Sequence, residues 1–413
     1  MPTIDRAGST ARVAADVNEL TGSDYTLVPD AIRRYAYTDV YKNTLDYFEA
    51  QFEQLGFEVS YDPVGTFVAR NRPVGEPVFG IGSHCDSNRN GGPYDGTLGV
   101  VVALEICRLN AEHRTDLPLQ VISFLEEEGS AFAQMLLGSR IMVQRVDETD
   151  LKERFIATDD GRTFWEHAEE AGYEPERWRE SSHVLDDLTG WIETHIEQAR
   201  VLQDTDNRLG IVNAIAGYIH GDITVTGRSD HAGATPMDFR NDAAVVAALC
   251  VAELERLALA AGSGTVGTVG ELDLSPGIIN VVPGGARLSL DVRGPVDELV
   301  AKVIQEITAF AERTARERGL QASFAQRQTF PATPMDPRIV AALEAAGDAA
   351  GQPFRTMPSG AAHDTMCVAD RVPSAMVFVP CRDGISHAPD EEADPADGAL
   401  AAEVIFNAIQ QLV

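Results

Sequence analysis

Lysine is nearly missing from this chain. Lys42, Lys152 and Lys302 are the only lysines among 33 basic residues, and arginine supplies the rest. Against them stand 64 acidic side chains, so the formal charge is −31 over 413 residues. Such an acidic surplus repels phosphate backbones and anionic lipid surfaces, which excludes nucleic acid and membranes as general partners. Cysteine is sparse as well. Cys85, Cys107, Cys250, Cys367 and Cys381 are scattered, odd in number and free of any CxxC pair, so neither a disulfide framework nor a thiolate zinc site is indicated. No apolar run approaches the roughly 18–20 residues that a membrane span requires. The opening MPTIDRAGSTARVAADVNEL lacks the apolar stretch of a secretory leader, and a cytoplasmic protein is expected.

What is present is an ordinary apolar share of 44%, too high for a disordered acidic chain. The length suits two domains, or one with a large insertion. Residues 41–55 carry apolar side chains at helical spacing. The segment FEVSYD (57–62) alternates like a strand. VFGIGS (78–83) and LPLQVISFL (117–125) read as strands, with an apolar helix over 99–109 between them. Strand, helix, strand predicts a βαβ unit in an α/β sheet. Charged side chains follow each strand directly, His84 and Asp86 after the first and Glu126, Glu127 and Glu128 after the second, where sites in such sheets gather. From about 212 the texture changes. Strands are expected at 221–229, 265–274, 286–292 and 322–330, with helices over 242–261 and 296–318. That order, β-α-β-β-α-β, is the split or ferredoxin-like arrangement. The expected architecture is therefore a discontinuous mixed-sheet α/β domain, 1–211 with 330–413, carrying an insert at 212–329. A helix near 338–350 and a strand at 374–380 return the chain to the first domain. The acidic run DEEADPAD (390–397) is read as the start of a solvated helix rather than a binding element.

Five of the nine histidines sit in loop-like settings rich in glycine or aspartate: His84 in GSHCDS, His195 in ETHIEQ, His231 in SDHAGATPM, His363 in GAAHDT and His387 in GISHAPDE. One such histidine is more often structural. Five together, most beside carboxylates, point to borderline divalent ions such as Zn²⁺, which take imidazole and carboxylate ligands. A two-ion site also needs a bridging carboxylate. His84 and Asp86 form a His-x-Asp pair at a strand end, with Asp86 placed to accept the second ring N–H of His84 and fix its tautomer. Asp95 follows in NGGPYDG, where asparagine and glycines allow a tight loop to return a carboxylate. Glu127 and Glu128 point in different directions, so one can bind metal while the other faces a reactive water as general base. Taken alone, EEEGS is as compatible with a solvated turn.

The motifs GSHCDSNRNGGPYDG, EEEGSAF, ETHIEQ, GRSDHAGATPMDFRNDA, IINVVPG followed by LDVRG, GAAHDT and DGISHAPDE occur in that order over roughly residues 80–390. This series resembles the N-carbamoyl-L-amino acid hydrolase and allantoate amidohydrolase family, a branch of the dinuclear-metal aminoacylase and carboxypeptidase superfamily. The resemblance implies that His84 and His195 hold one divalent ion, that Glu128 and His387 hold the other, and that Asp95 bridges them. It implies Zn²⁺ or Mn²⁺, with Co²⁺ or Ni²⁺ as further options. Glu127 would be the general base and acid, and His231 would donate to the developing oxyanion. In the family this histidine often reaches in from a partner subunit, which implies a homodimer with 212–329 as lid and dimerisation domain. Asn280 and Arg293 would grip a substrate carboxylate, and Gln198 and His363 would line the pocket. Arg240, Asn241 and Asp242 read as residues that cap and pin a helix of the insert.

The chain also departs from the family pattern. Ala199 and Arg200 stand where Gly–Pro is usual, Ala131 where an arginine is usual, and Ala362 where a glycine is usual. Each adjoins the expected pocket, and none removes a metal ligand or the base. The expected activity is hydrolysis of the C–N bond of a carboxylate-bearing ureido substrate, releasing ammonia and CO₂. His195, where peptidase relatives have a carboxylate, favours N-carbamoyl amino acids. Glu126 ahead of Glu127 and Glu128 looks more like the allantoate enzymes. Hydrolysis of an amide or dipeptide, and a non-catalytic binding protein on the same scaffold, are the remaining alternatives.

Overall fold

The computed structural model describes residues 4–413. They form two compact units, one of residues up to Asn213 with Met335–Met357 and Ala362–Val413, the other of Ala214–Pro334 with Pro358–Ala361. No helix among the described residues is long and apolar enough to cross a membrane.

The first unit is built on a mixed sheet. Its neighbouring strands are, in order, Glu58–Tyr61, Phe67–Arg70, Leu119–Phe124, Val78–His84, Leu188–Ile196, Ser374–Val379 and Leu209–Ile215. The four strands from Leu119–Phe124 to Ser374–Val379 run parallel to one another. The strands flanking them are antiparallel. Parallel strands covered on both faces read as continuous apolar runs, and every residue of Val78–His84, Leu119–Phe124 and Ser374–Val379 is buried. Helices Thr97–His113 and Pro395–Leu412 pack together and are almost wholly buried. Here the structure corrects the reading of the 390–397 run. Asp394 caps a buried helix through the amide of Ala396, and Glu391 is only 4% exposed. The helix fills the space between Arg6–Glu19, Thr97–His113 and Pro337–Ala350, so its acidic approach is drawn inward.

Because the four central strands are parallel, their carboxyl ends share one rim of the sheet. His84 closes one strand, Glu127 and Glu128 follow the second, His195 is the penultimate residue of the third, and the fourth leads into the loop that carries His387.

In the second unit, antiparallel strands stand in the order Leu272–Ser275, Gly285–Gly294, Gly217–Thr226, Gln321–Phe330. Along Gly285–Gly294 burial alternates, with Ala286, Leu288, Leu290 and Val292 inward, the period of a half-covered strand. Val246, Cys250 and Leu254 of helix Ala243–Ala261 and Val303 and Ile307 of helix Asp297–Glu317 complete the core on that face. Each fully buried aliphatic side chain there stabilises the unit by about 1.5–3 kcal/mol. The single strand expected over 265–274 is in fact two, Val266–Thr268 and Leu272–Ser275. They pair with different stretches of Gly285–Gly294, and Gly270 lies in the break between them. Asp242 caps helix Ala243–Ala261, Asn241 bonds the carbonyls of Arg318 and Gly319, and Arg240 bonds those of Ala232 and Thr235.

Candidate active site

Two clusters of ligand-type atoms meet at the rim of the first unit's sheet. His84, Asp95 and His195 form one, Asp95, Glu128 and His387 the other, with the atoms of each within 4.8 Å of one another. Asp95 belongs to both. Its Oδ1 lies 3.1 Å from His195 Nε2 and 3.7 Å from His84 Nε2, and its Oδ2 lies 3.2 Å from His387 Nε2. Glu128 Oε2 is 3.5 Å from the same His387 nitrogen. The backbone sets these positions. Gly96 follows Asp95 with a φ of 61°, a region that favours glycine. A Cβ on Gly96 would stand 2.3 Å from the His84 ring, so the loop can press against His84 only with glycine at this position.

The imidazoles are held by their distal nitrogens. His195 Nδ1 lies 3.0 Å from the Ile196 carbonyl and His84 Nδ1 lies 3.2 Å from the Asp86 carbonyl. A neutral ring that donates from Nδ1 carries a lone pair on Nε2. The two Nε2 atoms are 3.3 Å apart beside a carboxylate, and with both rings neutral their lone pairs face each other. A cation between them reconciles that arrangement. Burial opposes charge on His84, but Glu127, Asp86 and Asp95 outweigh it and raise its pKa well above the ordinary histidine value. His387 is pushed up to about 9, chiefly by its hydrogen bond to Asp95. Burial would raise Asp95, yet His195, His387 and His84 hold it well below the usual carboxylate range.

Glu127 is 5% exposed, and its Oε2 lies 3.8 Å from His84 Nε2. Burial lifts its pKa well above the ordinary value, with Asp364, Glu128 and Asp86 adding to the shift and His84 opposing it. A carboxyl group tuned upward in this way suits general acid–base work. Glu128 is raised to about 7, first by burial and then by Asp95. Asp86 does more than the sequence expectation assigns to it. Its carboxylate accepts the amides of Glu127 at 3.1 Å and Glu128 at 3.0 Å, and stands 3.5 Å from the His84 ring nitrogen that lies nearer the Asp86 carbonyl. The exits of Val78–His84 and Leu119–Phe124 are adjacent in the sheet, which brings these amides closer to the carboxylate than the ring is.

Gln198 Nε2 donates to Asp95 Oδ2 at 3.1 Å, and the His363 ring packs on that of His195 with centroids 4.6 Å apart. Both join the cluster. Burial, followed by the charge of His195, lowers the His363 pKa well below the ordinary value. Gln198 and His387 have φ angles of 58° and 57°, a region uncommon for side-chain-bearing residues and frequent at functional sites.

His231, Asn280 and Arg293 belong to the second unit. His231 Nδ1 accepts the amides of Gly233 and Ala234, each at 3.1 Å, which assigns the proton of a neutral ring to Nε2. The imidazole therefore presents an exposed N–H. The Asn280 carbonyl accepts the amide of Ala232 at 2.9 Å, tying the two loops. Arg293 is held in the plane of Asp291, with Nε at 2.9 and 3.1 Å and Nη2 at 2.9 Å from its carboxylate. Its Nη1 lies 3.4 Å from the Gly360 carbonyl.

Several contributing residues were not singled out in the sequence. The buried Arg34 guanidinium donates to the carbonyls of Leu20, Tyr25 and Cys85 and to the Thr97 hydroxyl, pinning the loop after His84. Asn88 donates its amide to Glu128 Oε1 at 3.2 Å. Glu193 accepts the amide and hydroxyl of Thr365, beside His363. Ser386 and Glu391 contact Asp95 and its loop. Glu391 stands four residues beyond His387, and that spacing was the one available signal.

The model of Peptidase family M20/M25/M40 matches residues 82–411. The chain belongs to this family. It is 34% identical over 405 residues to an N-carbamoyl-L-amino-acid amidohydrolase of Paenarthrobacter aurescens, covering 97% of each chain. It is 32% identical to a ureidoglycolate hydrolase of Oryza sativa subsp. japonica, covering 96% of this chain and 83% of that one. The crystal structure of an amidase of the hydantoinase/carbamoylase family from Burkholderia multivorans superposes with a TM-score of 0.88 at 30% identity, covering 98% and 97% of the two chains. This M20 chain is thus a hydrolase of a metal-dependent family, and the facing imidazole lone pairs around Asp95 fit a divalent cation in donor chemistry and in spacing.

Proposed function

We propose that this M20 hydrolase cleaves the C–N bond of an N-carbamoyl L-amino acid, releasing ammonia, CO₂ and the amino acid. The observation that carries the reading is one buried carboxylate, Asp95, shared by two ligand clusters with Glu127 beside them. His84 and His195 would hold one Zn²⁺ or Mn²⁺ ion, Glu128 and His387 the other, with Asp95 between. When bound, the ions supply Lewis acidity for the scissile carbonyl and lower the pKa of water. Glu127 takes the proton from the attacking water and returns it to the departing nitrogen, which leaves as ammonia, and the carbamate that remains loses CO₂. Asp86 holds Glu127 and Glu128 by their amides, so that base and ligand keep a fixed offset. His231 Nε2–H is the donor for the oxyanion. Arg293 and Asn280 receive the substrate carboxylate. Asp291 occupies the Nε and Nη2 edge of the guanidinium and orients it, and Nη1, which also donates to the Gly360 carbonyl, keeps its second N–H for the ligand.

A homodimer built through the second unit completes this reading. Strand Leu272–Ser275 ends its sheet, and Leu272, Leu274, Ile278 and Ile279 are exposed beside it, as are Val245 and Leu249 on helix Ala243–Ala261. An apolar edge strand of this kind is a template for pairing. Five buried, unpaired thiols support a reducing compartment, the cytoplasm.

Allantoate is the second reading, favoured by Glu126. This residue is fully buried and accepts the amides of Ala131 and Phe132 at 2.8 Å each, in the motif that looks more like the allantoate enzymes. Ammonia released from N-carbamoyl-L-amino acids and allantoate, and free amino acid released from N-acyl amino acids, measured on Mn²⁺- or Zn²⁺-loaded protein, separate the readings. Turnover of the carbamoyl amino acids above the others is expected. Turnover confined to acyl substrates would overturn the ureido reading.

A further inference from the structure

We propose that Glu391 and Ser386 are positioning residues that set the affinity of the Asp95–Glu128–His387 cluster for its divalent ion. This rests on the two-ion reading above and adds what determines whether the second ion stays. Glu391 is 4% exposed and uses both carboxylate oxygens. Its Oε1 accepts the amide of Tyr94 at 2.8 Å and that of Asp95 at 3.0 Å. Its Oε2 meets the Ser386 hydroxyl at 3.2 Å. The same hydroxyl lies 2.7 Å from Asp95 Oδ2, the oxygen that faces His387. Gln198 Nε2 approaches that oxygen at 3.1 Å and Ser386 Oγ at 3.3 Å. One buried carboxylate therefore ties the backbone of the bridging residue to the side chain next to His387, a link between loops 296 residues apart.

The sequence is shaped for this contact. A Cβ on Gly92 would stand 2.3 Å from Glu391 Cβ, so the loop closes over Glu391 only with glycine there. The contacts fall unequally on the two clusters. The rings of His84 and His195 are held by the carbonyls of Asp86 and Ile196, without Glu391. On the other side, the His387 side chain is half-exposed, and its cluster is supported through Ser386, Gln198 and Asn88. Removing Glu391 frees two amides and takes away one of the two carboxylates beside the Ser386 hydroxyl, so Asp95 Oδ2 and His387 lose their shared register while the His84–His195 pair keeps its own. Partners of this outer kind typically govern affinity by roughly 10–100-fold.

The test is metal binding by full-length apo protein. Mn²⁺ or Zn²⁺ is titrated into the wild type and the variants Glu391→Ala, Glu391→Gln and Ser386→Ala, with calorimetry and elemental analysis as readouts and thermal melts alongside. The wild type should take two ions per chain. Glu391→Ala and Ser386→Ala should weaken one of them at least tenfold and leave the other within about twofold. Glu391→Gln should recover much of the loss, because its amide oxygen still accepts the two backbone amides. Ser386→Ala removes only a hydroxyl and keeps the test open should Glu391→Ala fail to fold. A two-ion wild type whose folded variants bind both ions as tightly as before would overturn the positioning role alone, as would equal weakening of both ions. A wild type that takes up no ion would overturn the two-ion reading and this inference with it.

Discussion

Glu127 and Glu128 are adjacent in the chain, yet the fold assigns them different surroundings. Asp86 grips both backbones. Glu128 then turns toward His387 and Asn88, and Glu127 turns inward near His84 and Asp364. In the proposed mechanism a base must stay available to water, whereas a ligand must be committed to its ion, and this split would let one dipeptide serve both needs. Changing Glu127 to Gln keeps volume and polarity and removes only the proton acceptor. The variant should lose at least about 100-fold in kcat, the lower range for a positioned acid–base group, while metal content and substrate KM stay near wild type. Equilibrium substrate binding and elemental analysis check the second half. A variant that retains turnover would place the base elsewhere. A wild type that binds substrate without any turnover would identify a binding protein.

At the scale of elements, the parallel strands do most of the assembly. His84, Glu127, Glu128 and His195 lie at strand exits; for the first three the sequence marks short apolar runs ending in charge, so that part of the site was legible, whereas His195 read as loop-like and is in fact the penultimate residue of strand Leu188–Ile196. The amphipathic helix Asp297–Glu317, with its buried stripe of Val300, Val303, Ile304 and Ile307, was legible from its 3.6-residue spacing. Less legible were contacts that no local pattern encodes. The tie of Glu391 to Asp95 spans 296 positions, and an acidic run carries no mark of which member is buried. Arg34 was silent because its partners are carbonyls and a hydroxyl rather than carboxylates. The apolar residues of Leu272–Ser275 are a further case. Alternation predicted a strand without saying that Leu272 and Leu274, 48% and 40% exposed, would face outward at an edge. If that edge is the dimer seam, Leu274→Lys should convert a dimer of about twice the chain mass into monomer in sedimentation velocity, because a charge on an edge strand disfavours pairing. The variant's melt should keep its cooperativity, since the altered side chain lies outside the core of the unit. A dimer unaffected by the change would move the interface to another surface.

For the molecule as a whole, the dominant quantity is its charge of −31. It is unevenly spread. The second unit, Ala214–Pro334 with Pro358–Ala361, holds 14 acidic and 10 basic side chains, a net −4, which leaves −27 on the first unit. The proposed substrate is an anion, so the long-range field of the chain opposes its approach, while in the proposed site two bound ions and Arg293 would attract it at short range. These contributions differ in reach, and salt separates them. The Debye length falls from about 30 Å at 0.01 M to about 8 Å at 0.15 M, which screens distant carboxylates before it screens groups within contact of the substrate. Raising ionic strength over that range should therefore increase kcat/KM for an N-carbamoyl amino acid several-fold and leave kcat unchanged, the reverse of the usual steering of ligands by opposite charge. The corresponding uncharged carboxamide should show no salt dependence, which controls for effects of salt on the protein itself. A fall in kcat/KM with added salt would mean that the local cations govern the encounter and that the acidic surface has no part in it.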